Sequence, residues 1–214
     1  MISNGFKYGW LFFILMFQTV CAQEDWKMVK EEKGIKVFTK SVSTSNFKAF
    51  KAIMTLDESV QAFLSVLYDV EGLSTWAYKV NETSLLKRNG DSLQIYHAVS
   101  SVPFPYKNRD GVYANTFNWV AKNKTLHVEI KLLDTYIAKK ENLVRITGKG
   151  YWKAKVLTSG KLEIIFEMQV NPGGEIPAWM ANIFADNSPY YTMLELKKVI
   201  KNKKHQNKSF SFIN

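Results

Sequence analysis

From Trp26 onward, apolar and polar residues alternate with a period of two, and short turn pairs interrupt the pattern. "WKMVKEEKGIKVFTK" predicts two short strands joined near Lys33-Gly34, and "NFKAFKAIMTL" predicts a third. Asp57, Glu58 and Ser59 precede "VQAFLSVLYDV", where Val60, Phe63, Leu64 and Leu67 keep helical spacing behind acids that suit the helix dipole. Asn89-Gly90, between "TSLLKR" and "SLQIYHAV", is the strongest hairpin signal in the chain. Four more strands are predicted at "GVYANTFNWV", "TLHVEIKLL", "LVRITGKGYWKA" and "KLEIIFEMQV". The connections at 122–124, 139–142 and 159–160 are short enough for antiparallel neighbours. A terminal helix is predicted over 176–200, with Ser188-Pro189 marking a kink or restart. This order, with no repeat and no interdomain linker, predicts one α+β domain: a long curved antiparallel sheet with a helix packed across it. The basic stretch 201–214 is expected to form a flexible tail.

Strand parity sharpens the picture. Leu93, Ile95 and Val99 form an apolar face that also carries His97, and Leu126, Val128, Ile130 and Leu132 form another. Leu162, Ile164, Phe166, Met168 and Val170 form a third. In "LVRITGKGYW" one face runs Val144, Ile146, Gly148, Gly150, Trp152. Two glycines there mark either a bend in the strand or room left for a ligand, and spacing alone favours the bend. In "NPGGEIPAWMANI", Gly173 and Gly174 allow a sharp corner and Pro177 suits a helix start. Trp179 and Ile183, four apart with Met180 between them, are expected to lie against something apolar.

Composition places the chain among globular proteins, with 46% hydrophobic and 22% charged residues in 214. Lys7 followed by the apolar run 10–20 and the small residues around Ala22 predict a secretory signal peptide over residues 1–22, and hence a secreted or periplasmic protein. The run is short for a membrane span. Cys21, the one cysteine, is either removed with the leader or lipid-modified; Gln18 stands where a lipoprotein signal wants an aliphatic residue. Cleavage after Ala22 leaves no disulfide and no thiol chemistry.

The formal charge of +10 raises nucleic acid as a partner, but the aromatics fall on strand faces and are not interleaved with arginines. Nucleic acid is therefore not expected. A solvated lysine tail, or attraction to anionic lipid headgroups, accounts for the charge. His97, His127 and His205 have no ligand at metal-binding spacing, so no metal and no cofactor is expected. Phosphate loops and nucleophile elbows are absent, and no catalytic residue is assigned.

Three stretches, taken in order, resemble one family. "VPFPYKNRDGVY" (102–113) resembles the loop and following strand of START domains, the steroidogenic-acute-regulatory-protein-related lipid-transfer modules. "GYWKA" (150–154) is similar to a later strand of that family, and "NPGGEIPAWMAN" (171–182) to the corner into its terminal helix. The likeness spans 26–200, and the chain looks like a secreted, single-domain member of bacterial type, its START-like domain set at 23–200. The resemblance implies a helix-grip fold whose terminal helix closes a curved sheet over an internal apolar cavity. It implies binding, and in many members transport, of one lipid or sterol-like molecule, and no enzyme activity.

By that resemblance the loop Pro103, Phe104, Pro105, Tyr106 gates the cavity, and Trp179, Met180 and Ile183 form the lid's inner face. Gly148 and Gly150 become space-makers beside Trp152 and Phe166, and His97 and Asn115 stand near positions where related domains place polar groups toward the ligand. His97 is equally readable as a core histidine bonded to a backbone carbonyl. Arg109, Asp110, Gly173, Gly174 and Pro177 are assigned structural roles, the first two as an ion pair or turn anchor. Two other classes stay open. One is an enzyme of aromatic-polyketide-cyclase type on the same scaffold, using His97; the other is a module that holds a ligand for a protein partner.

Overall fold

A computed structural model describes residues 25–213; the leader expected at 1–22 lies outside the described residues. In chain order the elements are β1 (Lys27–Glu32), β2 (Ile35–Val42), β3 (Ser45–Leu56), α1 (Val60–Tyr68), a 3-10 turn (Glu71–Thr75), β4 (Val80–Asn89), β5 (Leu93–Ser100) and β6 (Asn108–Val120). A second 3-10 turn (Ala121–Asn123) leads to β7 (Thr125–Leu132), β8 (Leu143–Arg145), β9 (Thr147–Val156), β10 (Leu162–Asn171) and α2 (Ala178–Val199). The sheet runs β1-β2-β3-β10-β9-β7-β6-β5-β4, and β8 adds to β6. Every pairing along that path is antiparallel, so the architecture is the α+β sheet and helix expected from the alternation, in the helix-grip arrangement that the resemblance implies.

Local chemistry sets the corners. Lys33 and Gly34 take φ of 52° and 76° between β1 and β2, and Gly90 takes 52° at the tip of the β4–β5 hairpin. Ser59 caps α1 by accepting from the Ala62 amide at 3.0 Å, which satisfies one of the helix's free N–H groups. Seven of the nine α1 residues are buried, so this helix is core on nearly every side. Phe63 meets Trp152 edge-to-face at 5.7 Å, and α2 packs on β2 and β3. The C-terminal half of α2 sinks Tyr190, Met193 and Leu196 into the same core. Among the described residues no helix is long and apolar enough to cross a membrane.

Three expectations are corrected by the fold. The connection near 139–142 does not simply join neighbouring strands: residues 133–142 leave the sheet, and β8 returns parallel to β6 before β9 begins. The predicted strand "LVRITGKGYWKA" is thereby cut at Ile146, whose amide donates to the Asp110 carbonyl at 2.8 Å. Of the kink or restart expected at Ser188-Pro189, the restart is excluded, since α2 runs through Pro189 as one helix.

Finally, the segment after α2 does not fray. Gln206 donates to Glu58 at 3.0 Å, the Phe210 amide donates to Gln61 at 2.9 Å, and His205 and Ile213 are buried. Ser65 Oγ lies 3.0 Å from His205 Nδ1, so the chain's end is folded back onto α1. Lysines conceal this in the sequence, because their solvated heads flank the few apolar anchors that dock.

Candidate functional site

Between the sheet, α1 and the N-terminal half of α2 lies a cavity of about 250 Å³. This is just under the ~300 Å³ at which small-molecule sites begin, so a large ligand requires the covering elements to move. Its floor is aromatic: Trp152 and Phe166, cross-strand partners on β9 and β10, stack at 3.8 Å with their planes 5° apart. No aspartate or glutamate is among the residues lining it.

Helix α2 presents Ala181, Phe184, Ala185, Ser188 and Thr192 to the cavity, the i, i+3, i+4, i+7, i+11 stripe of one helical face. Half-buried polar contacts tie this helix to β3 and to the segment before β4. The Lys48 amide of β3 donates to Asn182 Oδ1 at 3.0 Å, and the Tyr78 amide donates to Thr192 Oγ1 at 3.1 Å. Trp179 and Ile183 point elsewhere: they are 63% and 47% exposed, and Met180 does not line the cavity. The expected inner lid face is thus rotated away from the one observed. Three of these (Ala181, Ala185, Ser188) are small, which leaves space open beneath this face of the helix.

Arg109 fastens two chain segments to one another. It is buried at the cavity wall, and its Nη1 donates to the Lys107 carbonyl at 2.5 Å, Nε to Pro172 and Nη2 to Gly173, both at 3.2 Å. One guanidinium therefore ties the loop before β6 to the corner before α2. Gly173 and Gly174 form that corner at φ of 61° and 58°, with Pro177 in the cap position ahead of α2. Burial pulls the Arg109 pKa below its ordinary value. Within 102–106, Val102 lines the cavity, while Phe104 is 96% exposed.

The two residues of Arg109-Asp110 do not pair with each other, because neighbours on a strand face opposite sides. Asp110 lies away from the cavity, where its Oδ2 accepts from His97 Nε2 at 3.0 Å and from Arg145 Nη2 and Nε at 2.8 and 3.1 Å. Burial alone would raise the Asp110 pKa, but the bonds from Arg145 and His97 outweigh it and hold the carboxyl below its ordinary value. Arg145 also donates to the carbonyl of Asp134 at 2.8 Å, so the 133–142 excursion is laid over this face of the sheet. His97 is consequently a member of a buried charged network and does not line the cavity.

The glycines of β9 also differ from expectation. Neither Gly148 nor Gly150 lines the cavity. A Cβ on Gly150 would sit 2.1 Å from the Glu167 carbonyl oxygen and 2.3 Å from Met168 Sδ, and one on Gly148 2.2 Å from the Gln169 oxygen. These glycines let β10 close up on β9, and the space over Gly150 is filled by Met168.

Asn115, Trp152 and Phe166 do line the cavity, and so do Gln94, Tyr96 and Tyr113, which the sequence pattern did not single out. Gln94 and Tyr96 lie opposite Asn115 and Tyr113 across the β5–β6 ladder, on the face that carries fewer aliphatic residues. Tyr96 and Tyr113 stack at 5.0 Å. Burial raises both phenol pKa values, Tyr113 to about 12 with help from the Asp110 charge, so both are neutral donors. Among the described residues there is no group of three or more side chains able to hold a metal ion.

No family model matches the chain. It is 31% identical over 175 residues to an uncharacterized protein of Pseudomonas aeruginosa, PA1579, covering 81% of this chain and 86% of that one. Human phosphatidylcholine transfer protein is 25% identical over 181 residues, with 79% of this chain and 81% of that protein covered. The crystal structure of a STAR-related lipid transfer protein from Xanthomonas axonopodis superposes with a TM-score of 0.77 at 29% identity, covering 83% of this chain and 99% of that one. The chain therefore belongs, with the Pseudomonas protein, to one family, and its fold is that of the STAR-related lipid transfer (START) domain.

Proposed function

We propose that this protein is exported by cleavage near Ala22 and carries one lipid or sterol-like molecule in the cavity, exchanging it through an opening between α2 and the 102–108 loop. The observation that supports this most is the largely apolar cavity that the N-terminal half of α2 covers in part. The relatives named as lipid transfer proteins support the same reading. Each methylene withdrawn from water contributes about 0.8 kcal/mol, so such a wall retains a long chain with little polar help.

Exchange takes place at a membrane. Phe104, Trp179 and Ile183 are exposed on the two segments that Arg109 ties together, and such side chains gain by entering the headgroup boundary. The positive charge of the protein adds a weak, salt-sensitive attraction to anionic lipid.

The test is native mass spectrometry of the exported, untagged protein with extraction of bound lipid, followed by transfer between vesicles. A stoichiometric lipid and a transfer rate that drops at least several-fold in Phe104→Asp are expected. An empty protein that takes up none of a broad lipid panel would overturn the proposal.

A further inference from the structure

Arg109 is a buried cation without an anion. It is 5% exposed and lines the cavity, and its hydrogen bonds go only to the neutral carbonyls of Lys107, Pro172 and Gly173. A guanidinium carries five N–H donors, so two remain. Among the described residues no carboxylate lies within ion-pair reach of it, and the burial that lowers its pKa is offset by no neighbouring charge. Buried charges in folded proteins are as a rule paired. Arg145 shows the ordinary solution, with the Asp110 carboxylate 2.8 Å from its guanidinium. Three carbonyls offer Arg109 dipoles but no negative charge.

The polar groups beside it are donors too. Ser100 is the cross-strand partner of Arg109, and Val80 that of Ser100, so Lys79, Ser100, Ser101 and Arg109 gather at the end of the cavity next to the 102–108 loop. All four line it. The Ser101 amide donates to the Lys79 carbonyl at 2.9 Å, and the Ser101 hydroxyl accepts from Asn81, which leaves its own proton to give. Lys79 holds φ of 61°, a left-handed conformation that costs a residue with a side chain. Its ammonium meets the Tyr78 ring at 5.8 Å and, among the described residues, no acid. Farther in, the wall is neutral and then aromatic. Trp152 aligns with Phe117 through Val128, about 26 Å along β6 from Arg109.

We propose that Arg109, with Lys79 and the hydroxyls of Ser100 and Ser101, forms an oxyanion subsite for the head of an acidic lipid. The head is a fatty-acid carboxylate or the phosphate monoester of phosphatidic acid, and the hydrocarbon runs inward over Trp152 and Phe166. This rests on the lipid-carrying reading above and narrows it. Hydrogen bonds from a guanidinium to an oxyanion are roughly twice as strong as neutral ones, and here they also complete an uncompensated charge. A neutral alcohol or ester leaves that charge as it was. A zwitterionic head brings an ammonium to an end of the cavity that holds cations and no carboxylate.

The experiment titrates the mature chain at neutral pH with oleate beside methyl oleate, with dioleoylphosphatidic acid beside dioleoylglycerol, and with dioleoylphosphatidylcholine. Quenching of tryptophan emission is the readout, since Trp76 and Trp152 line the cavity. At least one acid is expected to bind about ten-fold or more tightly than its neutral counterpart. Whichever acid shows the preference identifies the source of the oxyanion. Arg109→Gln, which keeps N–H donors for the carbonyls and loses the charge, is expected to remove the preference. Lys79→Asn, which tolerates the left-handed backbone, reduces it several-fold. Lys155→Gln, at an exposed position on β9, leaves it unchanged, which separates the subsite from general attraction to a basic protein. If Arg109→Gln fails to fold in a thermal melt, Lys79→Asn and Ser100→Ala carry the test. Acids and neutral counterparts that bind alike, or a preference that Lys155→Gln lowers as much as Lys79→Asn does, would overturn the subsite while leaving a lipid carrier in place. Failure of every lipid in the panel would instead overturn the carrier reading itself.

Discussion

Residues 96 and 97 are neighbours on β5, yet they belong to opposite kinds of polar site. On one face, His97, Asp110 and Arg145 form a network in which three donor atoms converge on Asp110 Oδ2. On the other, Tyr96 and Asn115 are neutral, and Asn115 Oδ1 has no partner. The first face is sealed by the 133–142 excursion and the second borders the cavity. Buried charge that is fully paired specifies an arrangement of backbone. Buried polarity beside a cavity leaves the backbone less strictly specified. The same ladder of strands thus carries a paired charged network on one side and borders the cavity with neutral polar groups on the other.

The comparison breaks most visibly at Asp110. Asp110→Ala leaves the Arg145 guanidinium buried without its carboxylate, and a loss of about 3–5 kcal/mol in urea unfolding is expected. Acid acts on the same bond. The folded Asp110 pKa lies below its ordinary 3.8, so its stabilisation is present above that value and is lost as pH falls below it. The wild-type midpoint in urea should therefore fall steeply at the acid end, and Asp110→Asn should flatten that slope.

Placing the same charge on the other face gives the reverse sign. In Asn115→Asp the new carboxylate meets an apolar cavity with no paired cation, so burial raises its pKa. A loss on the order of 3 kcal/mol is expected at neutral pH, recovered as pH falls through the raised pKa. Two aspartates, five residues apart on β6, would then give unfolding curves of opposite pH slope. Equal slopes would mean that the two faces do not differ as described.

Most of the fold is legible in the alternation and turn pairs. Asn89-Gly90 and Lys33-Gly34 sit at the tips of the hairpins they predict. The antiparallel order follows from connections too short for crossovers. What alternation cannot say is which face of β5 looks inward. Leu93, Ile95 and Val99 make the more aliphatic face, yet Gln94, Tyr96 and Ala98 line the cavity. Both faces of β5 are covered, one by the cavity and one by the excursion, so hydrophobicity carries no direction there. Trp179 and Ile183 mislead for a related reason. Helical spacing of large apolar residues does not say which face tertiary packing will use, and α2 turns Ala181, Ala185 and Ser188 inward instead. That Asn115 Oδ1 is buried without a partner has no sequence signal at all, because it depends on how neighbouring side chains are placed in the fold.

The smallest effect lies at residues 96 and 97 themselves. Tyr96→Phe removes a hydroxyl whose proton has no assigned protein acceptor, while the ring keeps its stack on Tyr113 at 5.0 Å. Stability in urea should change by less than about 0.5 kcal/mol, because the hydroxyl borders the cavity and the ring packing is kept. His97→Ala removes a donor at 3.0 Å from Asp110 but leaves both Arg145 bonds, so about 1–2 kcal/mol should be lost. The ordering matters more than either value. If the tyrosine is the costlier of the two, its hydroxyl is already committed to the protein, and the cavity face is closed in the same sense as the other.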